Sequence, residues 1–327
     1  MKKSNIIYYF FILGQSLVYG FGNPMTKIAY ESITPLWMLA ARFSIAFVVM
    51  LVIFRKRIRA SLFADNDIPE NDSSQKNNPD KKRTAEKYGI LKYRLWLPSA
   101  ACCAGAYISC NLALDLTSAT NVGFIMSLPV LFAPLLSMIF LRQRYEFRRL
   151  PVQLAAILGL FLLCCNGGVF AFGPGEALAL LEALCLAGFL VFGERAMEEM
   201  DVMALTTLQV GLTAVISIAA ALATDDISAL AGVEMRAWWI ILYLAITCTI
   251  IAYLLQNIAV RHLSSQTVSM LQCTQPILTA FASFILLGET LSGIGLAGAV
   301  IIVLCLIADS LVAARGGRAG MRNQNIH

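Results

Sequence analysis

Residues 111–144 read "NLALDLTSATNVGFIMSLPVLFAPLLSMIFLRQR" and residues 257–290 read "NIAVRHLSSQTVSMLQCTQPILTAFASFILLGET". Each is an apolar run interrupted by a proline, Pro129 or Pro276, with a serine (Ser118 or Ser265) eleven residues before it. Asn111 and Asn257 also correspond, after a one-residue slip. Self-similarity at a fixed distance marks an internal repeat. A weaker echo joins 175–210, "GEALALLEALCLAGFLVFGERAMEEMDVMALTTLQV", to the opening of the chain. There Gln15 falls on Glu182, Lys27 on Glu194 and Arg42 on Gln209, each 167 positions apart.

Working outward, the apolar runs continue along the chain. Hydrophobic residues make up 58% of the 327 and charged ones 14%, with mean hydropathy +0.72. Soluble domains hold about 45–50% and about 25%, so this excess requires lipid as solvent. A spanning helix needs about 20 mostly apolar residues. By that measure there are ten candidate spans: 6–22, 34–54, 95–114, 119–141, 150–167, 174–193, 203–223, 237–257, 265–287 and 293–313. The opening "MKKSNIIYYFFILG" has the basic and apolar regions of a signal peptide but no A-x-A-like site, so it is expected to be an uncleaved first span. The nine cysteines all fall in apolar runs, with no CxxC pair, and are expected to pack as small apolar thiols.

With the N-terminus inside, 22 of the 25 Lys and Arg fall on the cytoplasmic side, which satisfies the positive-inside rule and puts both termini in the cytoplasm. The basic surface is thus a topology signal and gives no support to nucleic-acid binding. One connection is long and polar, about 56–94, and is expected to be a disordered cytoplasmic loop. Each half holds five spans. An odd number forces the second half to insert upside down, and inverted repeats recur in secondary transporters with substrate sites near the midplane. The expected fold is an all-α integral membrane protein of ten transmembrane helices, built as two inverted five-helix repeats, 1–168 and 169–314, with a cytoplasmic tail at 315–327.

At this point the chain resembles a known family, the drug/metabolite transporter superfamily in its ten-helix EamA branch. The resemblance rests on the "YGFG…K…P…RF" pattern (Tyr19, Gly20, Lys27, Pro35, Arg42, Phe43), on "TSAT…P", and on "PILTAFASFILLGETLSGIGLAGAVIIV" at 276–303. The first half departs from it, since "FLRQR" (140–144) stands where the second half has Gly288-Glu289. The resemblance implies transport of a small organic metabolite, export or uptake, in the cell membrane. By the same analogy Asn111 and the Gln256-Asn257 pair belong to spans that wall a shared cavity.

Several intramembrane polar residues are candidates for that cavity. Arg42 lies about 12 Å below the outer end of span two at 1.5 Å per residue. It could cap carbonyls at the end of span one, pair with Glu31, or bind a substrate anion. Glu182 stands mid-span among apolar residues, where a carboxylate holds a proton, a partner or water. It could bind a substrate ammonium group, take up a coupling proton, or bond across helices. Gln15, its equivalent, is expected to face it. Pro129 and Pro276 are expected to break helices mid-span and free the carbonyls of Ile125 and Gln272. Gln272 and Gln275 beside the second break are expected to line the cavity, as is Tyr19 at the end of span one. Gly295 and Ala299, four apart, fit close packing within the bundle or a homodimer.

An enzyme is disfavoured: the only histidines are His262 and His327, at or beyond the cytoplasmic edge, and no H-E-x-x-H or G-x-S-x-G appears. No metal or cofactor is expected, and without a P-loop ATP is not the direct energy source. A secondary carrier exporting a small, amino acid-like metabolite, with protons or exchange as the drive, is the favoured reading. The Met- and Phe-rich surroundings of the prolines suit an adaptable apolar cavity. Uptake of a vitamin, sugar or nucleotide-type solute, or a non-transporting membrane scaffold, are the alternatives.

Overall fold

The computed structural model of the chain describes residues 6–63, 79–117, 122, 125–143, 147–165, 173–287 and 292–324. Ser118 and Gly288-Glu289, part of the repeat and family patterns, lie outside the described residues, as does 64–78 in the polar loop.

Ten helices follow one another, and no strand occurs among the described residues: α1 Ile6–Ala29, α2 Pro35–Phe63, α3 Pro79–Leu116, α4 Pro129–Phe140, α5 Leu150–Cys165, α6 Pro174–Ala196, α7 Val202–Thr224, α8 Met235–His262, α9 at 265–287 and α10 Gly293–Gln324. Five of them carry stretches long and apolar enough to cross a membrane: Pro35–Ser61, Trp96–Leu116, Pro174–Ala196, Val202–Thr224 and Met235–His262. α2 and α3 carry helical backbone into both flanks of the expected loop, to Phe63 and from Pro79.

Local chemistry sets the ends. Pro174 opens α6, and Glu176 reaches back to the N–H of Gly173 at 2.8 Å. Asp201 caps α7 by accepting from Met203 and Ala204 at 3.0 and 3.2 Å. Inside the spans, Thr206 and Thr213 return their hydroxyls to carbonyls four residues back, at 2.7 and 2.8 Å, so neither is left unsatisfied in an apolar setting. Two helices depart from regular geometry. α8 is π-helical over Leu244–Ile251, and α9 breaks at Cys273–Thr274 into Ser265–Gln272 and Gln275–Leu287.

α2 packs on α7, α4 on α9 and α5 on α10; α1 packs on α8 and α9, α6 on α3 and α4, α3 on α7 and α2 on α8. The core runs between them through Phe43, Phe189 and Tyr253. Outside, Phe10, Val52 and Ile139 are each more than 60% exposed, an apolar girdle suited to acyl chains. α5 and α10 approach closely, since a Cβ on Gly298 would lie 2.5 Å from the Gly159 carbonyl oxygen. Gly295, Gly298 and Ala299 are buried on α10, so its small-residue face is taken up inside the chain.

Candidate functional site

A cavity of about 70 Å³ lies near mid-bundle, walled by α1, α2, α3, α6, α8 and α9. At about 10–15 Å³ per water-sized position, that admits roughly five to seven waters or one small solute. Helical spacing selects the residues that face it. Gln15, Tyr19, Asn23 and Thr26 stand one turn apart on α1. Tyr107, Cys110 and Asn111 do so on α3, as do Tyr253 and Gln256 on α8.

Of the residues expected from the sequence, Gln15, Tyr19, Arg42, Asn111, Glu182, Gln272 and Gln275 all line this cavity. One wall is an amide cluster. Gln256 Oε1 accepts from Gln15 Nε2 at 2.8 Å and from Gln272 Nε2 at 2.9 Å, joining α1, α8 and α9. Gln256 Nε2 is left buried without a partner. Cys110 and Glu182 also line the cavity, from α3 and α6. One carboxylate oxygen, Glu182 Oε2, is buried and has no partner.

Arg42 closes the cavity from α2. Its Nε donates to Thr249 Oγ1 at 2.7 Å and one terminal nitrogen donates to the Cys248 carbonyl at 3.2 Å, both within the π-helical turn of α8. Its guanidinium carbon lies 5.5 Å from the Phe43 ring centre and 5.6 Å from that of Tyr107, within cation–π range. The Tyr107 and Tyr19 hydroxyls meet at 2.9 Å. Among the described residues, neither Arg42 nor Glu182 belongs to an ion pair. A cation and an unpaired carboxyl therefore line one small chamber.

The structure corrects three expectations. Arg42 holds carbonyl and hydroxyl groups of α8; it neither caps α1 nor pairs with Glu31. Asn257 does not line the cavity: its Nδ2 donates to Thr206 Oγ1 and Gln209 Oε1, both at 2.8 Å, because one residue further along a helix is a rotation of about 100°. Pro129 stands at the start of α4, not within it, and the Ile125 carbonyl accepts the Leu128 N–H at 3.0 Å, so it is not free. Pro276 stands just past an interruption of α9, where the sequence predicts a break. Asn23, Thr26, Tyr107, Cys110, Phe189 and Tyr253 also line the cavity, although the sequence did not single them out. A signal existed for some of them: the 146-residue distance from Asn111 to Asn257 also places Tyr107 on Tyr253 and Cys110 on Gln256.

Comparison with known proteins adds a family. The sequence matches the EamA-like transporter family over residues 6–165 and 173–308. It is 23% identical over 317 residues, 95% of each chain, to the "Uncharacterized transporter YyaM" of Bacillus subtilis (strain 168). It is 32% identical over 166 residues, 49% of this chain and 54% of the relative, to the "Threonine/homoserine exporter RhtA" of Salmonella typhimurium (strain SL1344). A solved crystal structure superimposes with a TM-score of 0.73 at 16% identity, covering 96% of this chain and 99% of the other, which shows a shared fold. With matches spanning both halves of a helical bundle rich in apolar helices, this chain belongs to the EamA-like transporter family and is a membrane transporter.

Proposed function

We propose that the protein is a secondary active exporter of a small, amino acid-like metabolite. It works by alternating access in the cell membrane, both termini lie in the cytoplasm, and protons are the candidate coupling partner. The observation that carries this reading is the unpartnered Glu182 Oε2 in the same chamber as the unpaired Arg42. An ammonium group offered to Glu182 and a carboxylate offered to Arg42 or Gln256 Nε2 would each remove a buried charge or an unsatisfied atom. The relative named as a threonine/homoserine exporter supports the substrate class.

The packing supports alternating access between two inverted repeats. Exchanging α1–α5 with α6–α10 maps the helix pairs onto themselves: α1 on α8 becomes α6 on α3, α1 on α9 becomes α6 on α4, and α2 on α7, α4 on α9 and α5 on α10 are unchanged. The family matches each half separately, in agreement with duplication. Residue pairs follow: the bonded Gln15 and Gln256 correspond to Glu182 and Cys110, and all four line the cavity. Two near-equivalent packings about a central chamber are what a carrier needs.

Counterflow of labelled threonine in proteoliposomes, at set pH gradients, tests the reading. Glu182→Gln keeps the shape and removes the acid, so the expected result is at least a tenfold loss of rate and loss of any pH-gradient response. A variant with full rate and full pH dependence would rule out Glu182 as the substrate or proton site. A panel of amines, carboxylates and zwitterions distinguishes the substrate class, and only zwitterions are expected to compete well.

A further inference from the structure

The cavity stops short of one end of the bundle. Its lining on α6 ends at Phe189, and on α9 it begins at Gln272. Beyond that floor three helices meet at one carboxylate. Glu194, in the last turn of α6, accepts the backbone N–H of Ser265 on Oε2 at 2.8 Å and the Gln143 side-chain amide on Oε1 at 3.1 Å. Ser265 is the first residue of α9, so its N–H has no partner within the helix, and an anion there suits the positive end of the helix dipole. Ser264 Oγ serves the Thr267 N–H at 3.3 Å in the same turn. The Ser137 and Ser265 hydroxyls meet at 3.1 Å, which ties α4 to α9 a second time. Gln143 reaches Glu194 because Arg142 takes a left-handed turn, φ 54°, just past α4. A non-glycine residue keeps that conformation only where its surroundings hold it.

The first-half position that corresponds to Glu194 holds no carboxylate. The 167-residue correspondence places Lys27 where the first half would need its own Glu194. Lys27 is exposed, and an ammonium group cannot accept a helix N–H. The cavity lining reaches Thr26, Leu114 and Met126, toward that end. At this pair of positions the two ends of a nearly symmetric bundle differ in charge.

We infer that Glu194 is a latch: its carboxylate holds α4, α6 and α9 together, keeps the floor of the cavity shut, and sets the resting carrier open toward Thr26. Passage of any solute requires this carboxylate to release Ser265 and Gln143. The inference rests on the alternating-access reading but not on the substrate, and its test needs none.

Hydrogen exchange of the purified full chain in lipid nanodiscs, without solute, reads both ends at once. In Glu194→Ala, exchange over 265–272 is expected to rise at least tenfold while exchange over 111–117 falls, as one end opens and the other closes. Glu194→Gln, which keeps a neutral acceptor, is expected to fall between it and the parent. Gln143→Ala removes one of the two bonds without touching α6. It is expected to shift both ends in the same directions by a smaller factor, and it serves if Glu194→Ala does not fold. Unchanged exchange over 265–272 in the folded variants would overturn the latch, and so would an equal rise at both ends, which is general loosening. Loss of threonine counterflow alone would count against the substrate and leave the latch standing.

Discussion

A buried guanidinium raises the question of what it is bonded to, and at Arg42 the answer is chemical geometry. A planar fork serves Thr249 Oγ1 and the Cys248 carbonyl together while its face lies against Phe43 and Tyr107. Lysine cannot repeat that arrangement. Arg42→Lys is expected to lower thermal stability by about 1–2 kcal/mol, the scale of a strong interhelical bond in a membrane protein. Arg42→Met is expected to cost more, because the Thr249 hydroxyl loses its donor and the cation–π contacts go as well. Differential scanning fluorimetry in detergent ranks them. If Arg42 also binds substrate, Arg42→Lys keeps a cation and raises KM far less than Arg42→Met; equal KM values would leave it a structural role only. The sequence disclosed this residue because a cation in an apolar run is conspicuous. Tyr107 and Tyr253 were not disclosed in the same way, since an aromatic in an apolar run reads as core. Asn257 shows the converse. Its polarity announced a function, but only helix rotation decides that Gln256 meets the cavity and Asn257 meets α7.

At the scale of elements, small residues decide how near helices come. A Cβ on Gly298 would lie 2.5 Å from both the Gly159 carbonyl oxygen and the Leu163 nitrogen, backbone atoms that cannot yield cheaply. Gly298→Ala is therefore expected to destabilise by about 1–3 kcal/mol. Gly159→Ala, where a Cβ would meet atoms at 3.0 Å, is expected to cost less. Gly14 in α1 has nothing within 4 Å of its would-be Cβ, so Gly14→Ala is expected to be neutral or to stabilise by up to about 1 kcal/mol through helix propensity. Thermal melts of the three variants check the order. A proline in the sequence predicted a break, but not where it would fall. Pro129 starts a helix, as proline can when its missing N–H would have been unpaired anyway. Pro276 does follow an interruption, yet the break comes at Cys273–Thr274. The π-helical turn that receives Arg42 had no warning in "LAITCTII", an ordinary apolar run whose extra residue is fixed by what packs against it.

For the whole molecule, helix number and order were legible because apolar length is a local property, whereas which helices pair is set by long-range packing and was not legible. The sense in which the second half is threaded carries the most consequence. If N-terminal basic residues lie inside, the end of α2 near Ser61 and Arg57 is cytoplasmic, and five further passes bring Ser228, between α7 and α8, to the outside. Ser228 is exposed and lies in a short 3₁₀ turn capped by Asp226, whose carboxyl the Ser228 backbone N–H and hydroxyl hold below the usual carboxylate range. A carboxyl lowered in the folded chain contributes above its ordinary value and is lost only as pH falls through the lowered one. The turn should accordingly stay capped at any pH used for labelling. A single cysteine at position 228, in a background with the nine native cysteines replaced, is expected to react with an impermeant maleimide in intact cells; one at position 61 is expected to react only after the membrane is opened. Labelling of both from the same side would require an even number of passes between them. The two halves would then share one orientation, and neither the exchange of helix pairs nor the latch could serve a carrier that opens to each side in turn.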